Sequence, residues 1–297
     1  MKRLGRQFTL IELLVVVTIL ATLAGAILVS YDGLEEKAAQ GQAAHSLGTL
    51  DSTLRTYKVL NRSFPDEFDS LLEATTTGTE TLSAGPTTTT PTPLVSMPPK
   101  LLGKLSPHSL TQEGLDALNA AGIRRLRYIG STLVDSSGVV GNTEAGSIPT
   151  RAFDNTGRGR GVVHTLGLGS HVAIVEGHGA LPFTGAGSGN SSRLRDIAGL
   201  DEEVAHVVVA VGIGNNSTLI DKTGDRTGGL SEAPTYSNLP KDQYGRYIAL
   251  FYLGSSPAGT TAINDVEYIS EAKLLAVIDT KGDWLDEEIA EFTGQKN

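Results

Sequence analysis

The chain has 297 residues, enough to bury a sizeable core in one large domain or two modest ones. It contains no cysteine, which excludes disulfides, thiolate metal sites and a cysteine nucleophile. A formal charge of -9 argues against a general nucleic-acid binder, because neutralising phosphates takes clustered Lys and Arg.

Lys2, Arg3 and Arg6 precede an apolar run, and the next basic residue is Lys37. From Phe8 to Val29 there are 22 residues with one charge, Glu12. As a helix, that run rises roughly 33 Å, against a hydrocarbon core of about 30 Å. The spacing predicts an uncleaved membrane span over 8–29, longer than the 7–15 or so apolar residues of a signal peptide. The basic flank puts the amino end in the cytoplasm and exports the remainder.

The helical pattern continues past the apolar run. Leu47, Leu50, Leu54 and Tyr57 recur at spacings of three and four, and Leu34, Ala38 and Ala44 extend the stripe backwards. Asp51, Ser52, Arg55 and Lys58 lie off it. The pattern ends at Asn61, just before Phe64-Pro65, where helix is disfavoured. The prediction is one long helix with an amphipathic half over 30–62.

FTLIELLVVVTILATLAGAIL, from Phe8, resembles the amino-terminal segment of type IV pilin-like proteins, which include the pseudopilins of type II secretion. FPDEFDSLL, from Phe64, resembles the stretch after the long helix in major pseudopilins. The resemblance implies a leader over 1–7, removed by a prepilin peptidase between Gln7 and Phe8, with methylation of the new amino terminus at Phe8. It implies that Glu12 pairs with the positive amino terminus of a neighbouring subunit during assembly. A carboxylate in low dielectric is costly alone and tolerable beside a cation. The implied partners are other pilin or pseudopilin subunits, the peptidase, an inner-membrane assembly platform and the lipid bilayer. The departure is Gln7, where the family has glycine. A cut after Gly5, or a retained leader, stays open.

Residues 63–109 hold a Thr/Pro-rich region. Threonine occurs ten times between Thr75 and Thr92 among several prolines, a composition that favours a solvated loop. The body follows over 110–297. Gln112–Ala121 is expected to be a short helix with a Ser109–Gln112 capping box and Gly122 at its end. Strands are expected at Ile123–Ile129, Gly161–Leu166, His171–Glu176, Ala205–Ile213, Arg246–Leu253 and Lys273–Asp279. A final amphipathic helix is expected around Asp283–Phe292, with Leu285, Ile289 and Phe292 on one face. The expected fold class is α+β and pilin-like: a long amino-terminal helix, half transmembrane and half amphipathic, packed on a mainly antiparallel β body.

Signals for catalysis are weak. His164, His171 and His178 recur every seven residues, but odd spacings in strands place them on opposite faces. GRGRG at Gly157 and GIGNNS at Gly212 lack the context of a nucleotide fingerprint and are expected to be turns. In DKTGDRTGG, Asp221 and Asp225 are the candidate calcium ligands, and no other cofactor is expected. The leading expectation is a structural fibre subunit in the inner membrane with a periplasmic body, and no enzyme. Two readings stay open beside it: a minor pilin binding cargo, DNA or a surface, with Arg124, Arg125 and Arg127 as a local basic patch, and a membrane-anchored periplasmic enzyme.

Overall fold

The computed structural model describes residues 9–73, 91–94, 97–129, 162–175, 199–200, 204–221, 223–224, 228–236, 239, 243–257 and 265–294. Within that set the side chains of residues 26–36 and of Glu73 are left aside. Helix α1 runs Leu10–Asn61 and ends where Arg62 turns left-handed, at φ 57°. Leu47, Leu50, Leu54 and Tyr57 are all buried, as their spacing predicts, and Ala43 rather than Ala44 continues the stripe. This part of α1 lies on the body, against the last helix and the last strand.

After α1 come β1 (Phe68–Glu73), α2 (Pro99–Leu102), β2 (Leu105–Ser109), α3 (Gln112–Ala121), β3 (Arg125–Ile129), β4 (Val162–Thr165) and β5 (His171–Val175). Then follow β6 (His206–Gly212), β7 (Ile248–Ser255), β8 (Glu267–Ile278) and α4 (Leu285–Thr293). The strands form one eight-stranded sheet. At its centre, Val209 of β6 pairs with Phe251 of β7 on one edge and Ile174 of β5 on the other. β1 joins β6 through Asp69 and Gly212, and runs parallel to β3.

Alternation along β6 divides the interior into two cores. Val207, Val209 and Val211 face a cluster holding Leu47, Leu50 and Leu54 of α1, Leu115 and Leu118 of α3, and Phe251. Val208 and Ala210 face a second cluster with Leu71, Leu72, Leu101, Leu105, Ile278 and Trp284. Burial on both faces explains why β6 is a nearly unbroken valine run.

Two expectations fail here. The pilin-like fold class required a transmembrane half of the amino-terminal helix, and no helix among the described residues is long and apolar enough to cross a membrane. The same finding overturns the single-pass inner-membrane placement of 8–29, with a cytoplasmic amino end and a periplasmic body. The sheet contains one parallel pair, β1–β3, among pairings that are otherwise antiparallel, as a mainly antiparallel body requires.

Local corrections are smaller. α3 has the predicted bounds, but its cap is Thr111, whose Oγ1 accepts from the Gly114 amide at 3.2 Å. Ser109 instead belongs to β2, and its hydroxyl donates to the Gly169 carbonyl at 3.4 Å. β1 and β2 have no counterpart among the expected strands. β2 carries Pro107 and, among the described residues, pairs with β5 alone, as proline requires of a strand at a sheet edge.

Candidate functional site

The apolar part of α1 is unlike the rest of the molecule. Every described side chain from Thr9 to Gly25 is exposed. Leu10 is 84% exposed, Val15 50% and Leu20 60%, so the apolar surface runs around the helix and not along one stripe. A helix that is hydrophobic all round is built for burial among other apolar groups.

Glu12 stands at the start of this stretch, and its carboxylate is engaged within its own chain. The Thr9 amide donates to Glu12 Oε2 at 2.9 Å, the Thr9 hydroxyl donates to the same oxygen at 3.0 Å, and the Glu12 amide donates to Thr9 Oγ1 at 3.3 Å. This is a capping box, which satisfies amides that a helix start leaves without partners. The signal was present in the sequence as Thr9-x-x-Glu12. Gln7 and Phe8, the expected processing site, lie outside the described residues.

Asp221, the described member of the calcium pair, is engaged within its own loop. Asp221 Oδ1 accepts from the Thr223 amide at 3.1 Å, the Thr223 hydroxyl at 3.0 Å and the Gly224 amide at 2.9 Å, which is the work of a turn-forming aspartate. Asp225 lies outside the described residues, as do His178, GRGRG and most of the threonine tract. His164 sits on β4 and His171 on β5, and Tyr128 of β3 lies between them, its ring centroid 6.1 Å from that of His164 and its hydroxyl donating to the His171 carbonyl at 2.7 Å. The basic patch is partly neutralised. Arg125 holds Asp66 at 2.9 Å and Glu67 at 2.7 Å, and Arg127 lies close enough to favour the charged form of Asp69.

A cluster that sequence reasoning missed lies where β8 meets α4. Asp279, Asp283 and Glu288 each bring a carboxylate oxygen within 4.8 Å of the others, and all three are buried. The turn after β8 sets their positions. Asp279 Oδ1 accepts the amides of Lys281 at 2.8 Å and Asp283 at 2.7 Å, and Gly282 supplies φ 93°. Trp284 then caps α4, its amide donating to Glu287 Oε2 at 2.8 Å, and Glu288 in the first turn comes back over Asp279. Burial drives the carboxyls of Asp279 and Glu288 above the ordinary carboxylate range, repulsion by Asp283 raises both further, and a hydrogen bond between the two favours the proton on Glu288. The Asp-x-x-x-Asp-x-x-x-x-Glu spacing across a strand end and a helix start was the available signal; it is weak, because such acids are common in first helical turns.

No family model, curated protein or solved structure matches the chain.

Proposed function

We propose that this chain is a structural subunit of a pilus-like or pseudopilus-like fibre, built through its amino-terminal helix. The apolar stretch of α1 is then buried against the same stretch of neighbouring copies or related subunits, and the body decorates the outside. The observation that supports this reading most directly is the exposure of Leu10, Ile11, Leu13, Leu14, Val16 and Leu20 on a helix whose distal half is fixed in the core. Apolar area of this kind is stabilised by burial at roughly 25 cal/mol per Å². The similarity of FTLIELLVVVTIL to pilin-like segments points to the same kind of assembly. In the packed state Glu12 lies among apolar helices, where a neighbour's positive amino terminus would offset the cost of its charge.

The absence of cysteine makes a direct test clean. A Val16→Cys chain, expressed where the protein is native and mildly oxidised, is expected to form disulfide-linked dimers or links to a related subunit. A Ser52→Cys control on the body-facing half should remain monomeric. The reading is lost if Val16→Cys gives no linked species under conditions that oxidise free thiols.

A further inference from the structure

The geometry points to a second contact between copies, in which the free apolar stretch of α1 in one copy docks along α4 of its neighbour. The contact rests on the assembly proposed above and adds an acceptor surface to it. α4 carries Leu285, Ile289 and Phe292 at i, i+4 and i+7, which makes one ridge along one face. Phe292 lies opposite Gly41 of α1, where a Cβ would meet its ring at 3.0 Å, and Leu285 lies opposite Gly48, at 4.0 Å from such a Cβ. Neither glycine supplies a side chain to cover the ridge. Leu285 stays 39% exposed, Ile289 47% and Phe292 48%. α1 holds α4 in place and leaves its apolar ridge half open.

The ridge fixes the chemistry of its occupant. From Leu285 to Phe292 it rises about 10 Å, and exposed carboxylates stand at both ends, Asp286 beside Leu285 and Glu291 beside Phe292. An occupant must therefore be apolar over about two helical turns and carry positive charge next to them. The α1 stretch of a second copy meets both demands. Leu13, Val16, Val17 and Leu20 are exposed on one face with the spacing and length of the ridge, and Glu12 lies a quarter-turn from its centre. The polar groups of the stretch are satisfied within its own helix. Thr9 and Glu12 close the capping box, the Thr18 hydroxyl donates to the Leu14 carbonyl at 2.8 Å, and the Thr22 hydroxyl donates to the Ile19 carbonyl at 2.9 Å. Such a helix enters a dry contact without stranding a hydroxyl. Positive charge stands at its start, as Lys2, Arg3 and Arg6 in the full chain or as a free amino terminus after processing. The result is an apolar centre with complementary charge at the rim.

Donor stretch and acceptor ridge are different surfaces of one chain, so the contact is heterologous. Each copy that gives its stretch still offers its ridge, and repetition builds a ring if the rotation closes and a filament if it does not. Contact between like stretches alone has no such direction.

Two full-length single-cysteine chains test the contact. Tagged Val16→Cys and untagged Ile289→Cys, mixed and mildly oxidised, are expected to form a mixed disulfide dimer at least about tenfold faster than Ser52→Cys mixed with Ile289→Cys. A chain carrying both Val16→Cys and Ile289→Cys should give a ladder of linked oligomers, while Ile289→Cys alone stays monomeric. Phe292→Cys is the substitute acceptor should Ile289→Cys lose the parental Tm. Asp286→Asn with Glu291→Gln, added to the acceptor chain, should slow the mixed link several-fold at low salt. At about 1 M salt, where the Debye length is about 3 Å, the difference should vanish. Val16→Cys dimers without the mixed species overturn the α4 contact and leave the fibre reading standing; loss of both species overturns the two together. Ile289→Cys homodimers in place of the mixed species overturn the proposal by assigning α4 to a contact with itself. Linking at the parental rate by the charge-neutral acceptor at low salt overturns it as well.

Discussion

Thr9 and Glu12 close the first turn of α1 on each other, amide to carboxylate at 2.9 Å in one direction and amide to hydroxyl at 3.3 Å in the other. The glutamate therefore has one role inside the subunit and, in the proposed fibre, a second role between subunits. Glutamine serves at the same capping position but carries no charge. Glu12→Gln is expected to leave the helicity of the free subunit unchanged and to impair Val16→Cys cross-linking as much as Glu12→Ala does. Cross-linking by the Gln variant at the parental level would assign Glu12 to the cap alone.

The two halves of α1 should respond oppositely to truncation. Leu54 is completely buried in the core that α1 shares with α3 and β7, so Leu54→Ala should cost about 2–5 kcal/mol in urea unfolding. Leu14 is 59% exposed, and Leu14→Ala should leave the stability of the isolated subunit within about 0.5 kcal/mol. Its effect is expected in association, read by sedimentation. A large stability loss at Leu14 would mean that the apolar stretch folds back onto its own body.

Much of the fold was legible where burial follows a period. The stripe from Leu47 to Tyr57, the bounds of α3 and the valine run of β6 each follow from helical or sheet spacing. β1 was hidden because two of its buried residues, Asp69 and Ser70, are polar and mask the alternation. β2 was hidden by Pro107, tolerable only because the strand lies at an edge, which local sequence does not reveal. The buried carboxylates were illegible for a related reason. Glu288 occupies the first turn of an acidic helix, a pattern that ordinarily means solvent, and only the placement of the β8 turn buries it. Glu12 is the reverse case: its cap could be read locally, but a partner on another subunit cannot.

Gly122 is where α3 must turn into β3. At φ 98° the backbone is left-handed, and a Cβ there would meet Ser63 Cβ at 2.6 Å and the Phe64 carbonyl oxygen at 3.0 Å. Those contacts come from the segment that leaves α1, so relief of the clash would separate the two connections. Gly122→Ala should destabilise by about 1–3 kcal/mol, from backbone strain and close contact together. Gly25→Ala is the matched control. No atom lies within 4 Å of its added Cβ, and alanine favours the helix interior. Its unfolding midpoint should not fall.

Asp69 sets the expected pH dependence. It is fully buried, and burial pushes its carboxyl up to about 8, against the opposing pull of the Tyr244 hydroxyl at 2.9 Å and of the charges on Arg127 and Arg246. The added Cβ of Gly214 would lie 2.3 Å from Asp69 Oδ2, so the approach of this backbone leaves no room for a larger residue beside the carboxyl. A folded-state value above the unfolded one, near 3.8, means that the native chain holds the proton more tightly. Its contribution to stability is complete below about pH 4 and is lost as pH rises through about 8. Asp279 and Glu288 are shifted in the same direction and add to the same decline. The protein should therefore lose stability between about pH 4 and 8, with a slope of up to about 1.4 kcal/mol per pH unit for each such group. Asp279→Asn together with Glu288→Gln should remove the share of that pair, because neither amide titrates. Asp69→Asn should remove the rest. A chain carrying Asp279→Asn and Glu288→Gln whose stability is flat from about pH 4 to 8 would show that Asp69 is ionised in the native state, held by Arg127, Arg246 and Tyr244 together.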